Sequence, residues 1–351
     1  MTNKVANLYI CSNCDAQFPK WNGRCLECGQ WGTLSLQTVA TKNNQPAIQT
    51  TPAQIININN VSSQNKSRFS TKIEEIDRVF GNGIVPGSVT LLGGEPGIGK
   101  STLVAQIADA LQNNYSVLYV SGEESVEQVK LRLDRLNCRL NNLQFIIDTN
   151  VEKIIAAAEK NKPQLLIIDS IQTVYSHDVP AEAGSVSQIR ASAVKFLPLA
   201  KTQDVAIILI GHITKDGSLA GPKSLEHLVD TVIYLETDVS QAYRFLRTSK
   251  NRFGSTNELG VFAMTSQGLQ PVSNPTSLFL QTNRQQLSGS TISAIIEGTR
   301  PFLVEIQALV SKTIFGYPQR KASGFDLNRL IVLTAVLSNR AARTLTQHEI
   351  M

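Results

Sequence analysis

The sequence predicts an α/β fold: a mostly parallel sheet covered by helices, with a small cysteine-bearing module before it and a smaller α+β segment after it. Three observations carry this. Short Val-, Ile- and Leu-rich runs alternate with amphipathic stretches from Arg68 to about Gln270, the pattern of buried parallel strands with helices on both faces. The stretch LLGGEPGIGKSTLVAQIADAL, Leu91 to Leu111, passes from an apolar strand pattern to a helical one through four glycines and a proline. Four of the five cysteines lie between Cys11 and Cys28.

A chain of 351 residues has room for two or three domains, and 42 % apolar residues is a globular composition. No apolar run reaches the roughly 18–20 residues of a membrane helix. The opening MTNKVANLYICSNC lacks the apolar core of a signal peptide. The expectation is a cytoplasmic protein with no membrane association. A net charge of +5 is compatible with a polyanionic partner.

The first module covers residues 1–32. Cys11-x-x-Cys14 and Cys25-x-x-Cys28 form two knuckles, each able to bring two thiolates to one ion, and four thiolates make a closed tetrahedral Zn²⁺ site. Lys20, Trp21, Arg24 and Trp31 surround the knuckles. They suit either a nucleic-acid or protein surface or simple packing on a tiny core. Residues 33–67, dominated by Asn, Gln, Thr and Ser, read as a polar linker with room for short extended pieces.

The core is expected over residues 68–272. SVTLLGG, SVLYVSG, LQFIID, PQLLIIDS, VAIILIGH and TVIYLET are its strand candidates, with RFLRTSKNRFG and LGVFAMTSQGL as an antiparallel addition. The glycine break fits G-x-x-x-x-G-K-[ST] as Gly94-Glu95-Pro96-Gly97-Ile98-Gly99-Lys100-Ser101. Main-chain N–H groups can wrap a triphosphate only where side chains do not block them, and the helix that follows adds a favourable field. The expected ligand is ATP with Mg²⁺. Lys100 reaches the β- and γ-phosphates, Ser101 presents its hydroxyl to the metal, and Thr102 assists.

Asp169 ends a buried strand pattern, where it holds the metal through water or caps a turn. Glu123 and Glu124 follow a neighbouring strand. Either can polarise the attacking water; Glu123 is favoured because Glu124 can start the next helix. His212 ends another strand, as a γ-phosphate sensor or a structural residue. Two long polar segments, Ser176–Arg190 and Gly211–His227, follow strands at the same end and carry Arg190, Lys215 and Lys223. Segments of this length are usually functional, here as a track for phosphate backbones. Lys250 and Arg252 in KNRFG are two cations one residue apart, suited to a neighbouring subunit's ATP or to a basic turn. Cys138, alone in RLNCRL, reads as a small buried apolar residue.

The order C-x-x-C…C-x-x-C, GGEPGIGKST, LLIIDS, GHITKDG, KNRFG resembles the bacterial RadA (Sms) family of DNA-repair proteins over nearly the whole chain. The resemblance implies a RecA-like P-loop ATPase core, a homohexameric ring and ATP-driven movement on single-stranded DNA. It also implies branch migration of recombination intermediates alongside RecA recombinase, on single-stranded and branched DNA. It assigns the P-loop role to Lys100 and Ser101, the metal role to Asp169 and the catalytic carboxylate to Glu123. Lys250 and Arg252 match the motif tied to ATP use and DNA-dependent function. Family members continue into a Lon-protease-like scaffold domain; residues 273–351 resemble its first part, and the chain stops at RAARTLTQHEIM. The function expected is a DNA-dependent ATPase motor of recombinational repair. The alternatives are a non-motor ATP-binding mediator or switch, and an inactive truncated remnant.

Overall fold

The computed structural model describes residues 6–12, 16–39, 57, 67–139, 142–212, 225–237, 242–274, 288–313, 317–341 and 345–351. They form two compact units, Met1–Pro271 and Val272–Met351. Among the described residues no helix is long and apolar enough to cross a membrane.

The first unit opens with a three-stranded antiparallel sheet, β1 (Ala6–Cys11), β2 (Gln17–Phe18) and β3 (Leu34–Val39), in the order β2-β1-β3. Composition places Leu34–Val39 in the linker. The structure pairs it in full register with β1, Cys11 opposite Leu34 and Ala6 opposite Val39. Within LSLQTV only Leu34-Ser35-Leu36-Gln37 alternates apolar and polar before Thr38 and Val39 break the phase, too short a run to stand out from the polar residues around it.

The core sheet has nine strands. β4 (Val89–Gly94), β5 (Val117–Ser121), β6 (Leu143–Ile147), β7 (Leu165–Asp169), β8 (Ala206–His212) and β9 (Thr231–Thr237) are parallel, in the order β9-β4-β8-β7-β5-β6. β10 (Tyr243–Asn251), β11 (Leu259–Thr265) and β12 (Gly268–Pro271) continue antiparallel beyond β9. α1 (Glu74–Phe80), α2 (Lys100–Leu111), α3 (Val126–Arg135), α4 (Val151–Asn161) and α5 (Val186–Gln203) cover it. β4, β5 and β7 are buried at every position, because helices seal both faces. One core cluster joins Leu103, Ile107 and Leu111 of α2 to Tyr119, Ile167 and Ile208; another joins Ile154, Phe196 and Leu199 to Leu91, Leu118 and Leu209. Half of each strand's side chains serve each cluster, which is the alternation of a pleated strand.

Helix starts are set by local chemistry. Ser125 caps α3 in a reciprocal box with Gln128, Asn150 caps α4 and Ser185 caps α5. α2 begins differently: Gly99 stands at its N-cap with no side chain to accept a bond, which leaves the first N–H groups open to a ligand.

In the second unit, β13 (Ser290–Glu297) and β14 (Arg300–Gln307) form a hairpin, β15 (Val310–Lys312) pairs with β16 (His348–Ile350), and α6 (Leu327–Arg340) lies between them in sequence. Among its described residues only Phe302, Thr334 and Ile350 are buried. β16 is three residues at the chain's end, too short for a periodicity signal.

Candidate ATP and metal sites

The parallel strands end together, and their tips build the site. Gly94 on β4 pairs with His212 on β8; Ser121 on β5 pairs with Asp169 on β7. Gly122 donates its N–H to the Asp169 carbonyl at 3.0 Å. A Cβ on Gly122 would run into the Thr173 side chain, so only glycine allows the β5 tip to lie this close to the turn after Asp169. Glu123 follows at once and is thereby set beside Asp169.

Lys100 is 3 % exposed, and its Nζ donates to the carbonyls of Gly94 (2.9 Å) and Glu95 (2.8 Å). Burial lowers its pKa to about 8, while the charges of Asp169 and Glu123 pull it upward. The ammonium thus sits in a partly dry pocket, held by two carbonyls of the loop it serves. Glu123 Oε1 accepts a short hydrogen bond from Ser170 Oγ and lies 3.3 Å from His212 Nε2. Three residues the sequence did not flag complete the surroundings of Asp169 and Glu123: Ser170, Tyr119 and Arg132. Tyr119 donates its phenol to Asp169 Oδ2 at 2.5 Å, Arg132 Nη2 bonds the Tyr119 oxygen at 3.2 Å, and the same guanidinium lies 3.8 Å from Asp169. Burial, with the Asp169 charge next, raises the Tyr119 pKa, so the phenol stays a donor. Arg132 also pairs with Glu124. Glu124 is therefore spoken for, whereas Glu123 faces Lys100 and His212. Helix α3 starts at Ser125, one residue after Glu124.

Lys250 and Arg252 lie elsewhere. β9 and β10 pair with a register shift between Thr248 and Lys250. Thr248 Oγ1 bonds the Val79 carbonyl of α1, but Lys250 Nζ bonds the carbonyls of Glu226 (2.7 Å) and Val229 (2.9 Å). Ser249 is the extra residue, and the bulge sends Lys250 to the face opposite Thr248. The shift precedes both cations, and both reach the same stretch of chain: Lys250 the carbonyls of Glu226 and Val229, Arg252 the Asp230 carboxylate. Arg252 pairs with Asp230 at 3.1 Å; Asp230, its side chain 4 % exposed, also holds Lys201 (2.7 Å) and the Val89 N–H (3.0 Å). Arg68 Nη2 bonds the Phe253 carbonyl at 2.7 Å. Val89 starts β4 and Gly94 ends it, so Arg252 is fixed about 17 Å of strand away from its own phosphate loop.

Arg190 is exposed on the first turns of α5, past the loop expected to run to it. The preceding segment is held from below. Gln188, 1 % exposed, accepts from Ser176 N–H at 2.8 Å and donates to the carbonyls of Ser176 (3.1 Å), Val179 (2.8 Å) and Ala181 (2.9 Å). Gln188→Leu should cost about 2–3 kcal/mol by orphaning these groups, with faster proteolysis between 177 and 185; denaturant titration and fragment mapping check it. Lys215 and Lys223 lie outside the described residues. Cys138 packs beside Val129, Leu133 and Leu136, and burial, with Asp109 next, pushes its thiol up to about 11.

In the cysteine module the sulfurs of Cys11, Cys25 and Cys28 lie within 4.8 Å of one another, with Cys11 and Cys28 3.7 Å apart. A tetrahedron with Zn–S of about 2.3 Å has edges of about 3.8 Å, so the three sulfurs fit zinc. Cys14, the fourth expected ligand, is outside the described residues. Cys11 and Cys25 are buried, while Trp21 and Trp31 are 60 % and 75 % exposed; the tryptophans are not the module's core. Cys25→Ser should release the metal and open residues 6–39 to protease, since zinc supplies on the order of 10 kcal/mol to such small modules; metal analysis and fragment mass spectrometry check it.

Fold and site together define a RecA-like P-loop ATPase carrying an N-terminal zinc ribbon. An AAA domain description matches residues 59–218, and a rubredoxin metal binding domain matches residues 9–35. The chain is 45 % identical to DNA repair protein RadA of Listeria monocytogenes over 99 % of its length and 76 % of that protein's. Against the RadA proteins of Bacillus subtilis and Escherichia coli the identity is 44 % and 43 %, covering 99 % and 100 % of the chain and 77 % and 78 % of the relatives. A solved ATPase domain superposes with a TM-score of 0.53 at 15 % identity, over 59 % of this chain and 92 % of that one, a likeness of fold. The chain belongs to the RadA family of DNA repair proteins.

Proposed function

We propose that this chain is a DNA-dependent ATPase that works on single-stranded and branched DNA during recombinational repair, alongside RecA recombinase, as a homohexamer in the cytoplasm. The observation that carries the reading is the convergence of Lys100, Glu123 and Asp169 at one sheet end, with the segments after β7 and β8 leaving from that same end. In that arrangement the phosphates and a DNA strand would act on the same strand tips.

The residues divide the chemistry. Gly94–Thr102 wraps the phosphates, and Lys100 exchanges its two carbonyl partners for β- and γ-phosphate oxygens. Ser101 and Asp169 are the residues to hold Mg²⁺, which when bound neutralises charge on the phosphate oxygens. Glu123 orients the attacking water and takes its proton at Oε1, with Ser170 and His212 fixing the carboxylate. Lys250 and Arg252 act on the ATP of the next subunit. Arg190, Lys215 and Lys223 contact the DNA backbone, and the stepping of these segments drives branch migration. Residues 273–351 form the first part of a Lon-protease-like scaffold.

ATP turnover by this chain with and without single-stranded DNA tests the reading. Stimulation is expected, with DNA affinity falling about 0.7 log units per log salt for each phosphate contact. ATP turnover indifferent to DNA would favour a non-motor mediator, and a persistent monomer with no turnover would favour a remnant.

A further inference from the structure

We propose that Arg244 is a positioning residue of the phosphate site: it fixes the Ile98–Gly99 peptide so that the Gly99 N–H faces the bound anion. The proposal rests on the reading of Gly94–Thr102 as the ATP site and adds to it a residue that lies far outside the loop in sequence.

Arg244 is the second residue of β10, at the end of the strand level with the loop, opposite Thr237. Its Nε donates to the Ile98 carbonyl at 3.0 Å, and its Nη1 donates to Thr237 Oγ1 at 3.0 Å and to the Tyr243 carbonyl at 3.1 Å. The guanidinium is therefore itself anchored to the sheet, and its planar fork presents a directed donor to the loop. The C=O and N–H of one trans peptide plane point opposite ways. With the Ile98 oxygen bound on the Arg244 side, the Gly99 N–H is turned away from Arg244.

The loop needs such a hold. Gly99 has φ 115°, a region glycine enters freely and other residues do not, so the backbone alone sets no strong preference for one peptide orientation. At φ 115° any residue with a Cβ would be strained whatever the space around it, so a stiffer residue is disfavoured and the restraint has to come from outside. The helix behind the loop is braced by the same strands: Gln106 of α2 donates to the Leu269 carbonyl and accepts from the Leu269 N–H, each at 3.0 Å. The strands β10 to β12 thus grip both the loop and its helix.

The test compares the full chain with its Arg244→Ala and Arg244→Lys variants. Titrations use Mg·ATP and Mg·ADP, with inorganic tripolyphosphate as competitor. Losing one aimed amide should weaken all three ligands about tenfold in the alanine variant. Since the amide serves ground and transition states alike, KM rises while kcat stays within about twofold. Arg244→Lys keeps the charge but loses the fork and should fall between, at roughly three- to fivefold. A merely structural role would lower the melting temperature and leave the ligand affinities unchanged. Unchanged affinity in Arg244→Ala overturns the proposal. So does a loss for nucleotides that spares tripolyphosphate, or full wild-type affinity in Arg244→Lys, which also serves should the alanine variant not fold. If the parent chain bound no Mg·ATP, the ATP-site reading itself would fail, a separate outcome.

Discussion

Lys100→Ala is expected to lower ATP turnover by at least about 10²–10³-fold, the loss typical when one aimed donor leaves a developing charge. The geometry explains why no neighbour substitutes. Lys100 alone among the loop residues carries a cation into the buried pocket facing Asp169 and Glu123. Its removal should barely change stability. Lys100 is 3 % exposed, and burying a charge is itself costly. That cost offsets the two hydrogen bonds to Gly94 and Glu95 that disappear. Thermal melts should therefore coincide within a few degrees while steady-state hydrolysis collapses. Parent-like hydrolysis in the variant would remove the phosphate assignment.

Arg252→Ala should be larger still in turnover, roughly 10³–10⁵-fold, if its guanidinium serves the transferring phosphate of an adjacent copy. Affinity for Mg·ATP should stay within about twofold, because Arg252 lies at the opposite end of the sheet from its own loop. The fold should tolerate the change: Asp230 keeps Lys201 and the Val89 N–H as partners. Mixing decides between the routes. Lys100→Ala chains retain Arg252, and Arg252→Ala chains retain the loop. Equimolar mixing should restore hydrolysis to a sizeable fraction of the parent if the two residues meet between copies. No recovery in mixed assemblies would rule that meeting out.

The parts of the site that sit on a periodic or punctuated sequence are legible from the residues alone. Buried strands of Val, Ile and Leu announce the parallel sheet, and GEPGIGKS and the two C-x-x-C pairs announce their ligands through backbone access and thiolate spacing. The positions of Asp169 and Glu123 at strand ends are legible too, and their roles rest on the proposed function. Tyr119, Ser170, Arg132 and Arg244 are not legible. Tyr119 looks like any aromatic in a buried strand, and its phenol acquires meaning only when β5 pairs with β7. Arg244 meets Ile98 across 146 residues of sequence, a relation that no local pattern encodes. The bulge at Ser249 is equally hidden, and it reverses the side on which Lys250 emerges. The place of β3 within the polar stretch is masked by composition, and the Arg132–Glu124 pair, which bears on the choice between Glu123 and Glu124, leaves no local signal.

One strand carries the last consequence. β10 begins beside the phosphate loop at Arg244 and ends at Lys250 and Asn251, where β4 begins. A rigid sheet cannot fold these two extremities onto each other. Under the proposed reading, in which Arg252 serves the ATP of another copy, receptor and donor belong to different faces of the molecule, and the assembly it requires is head-to-tail, repeating from copy to copy until it closes on itself. Catalysis on that plan obeys a dilution law: hydrolysis per chain should climb with protein concentration until rings are complete, then level off.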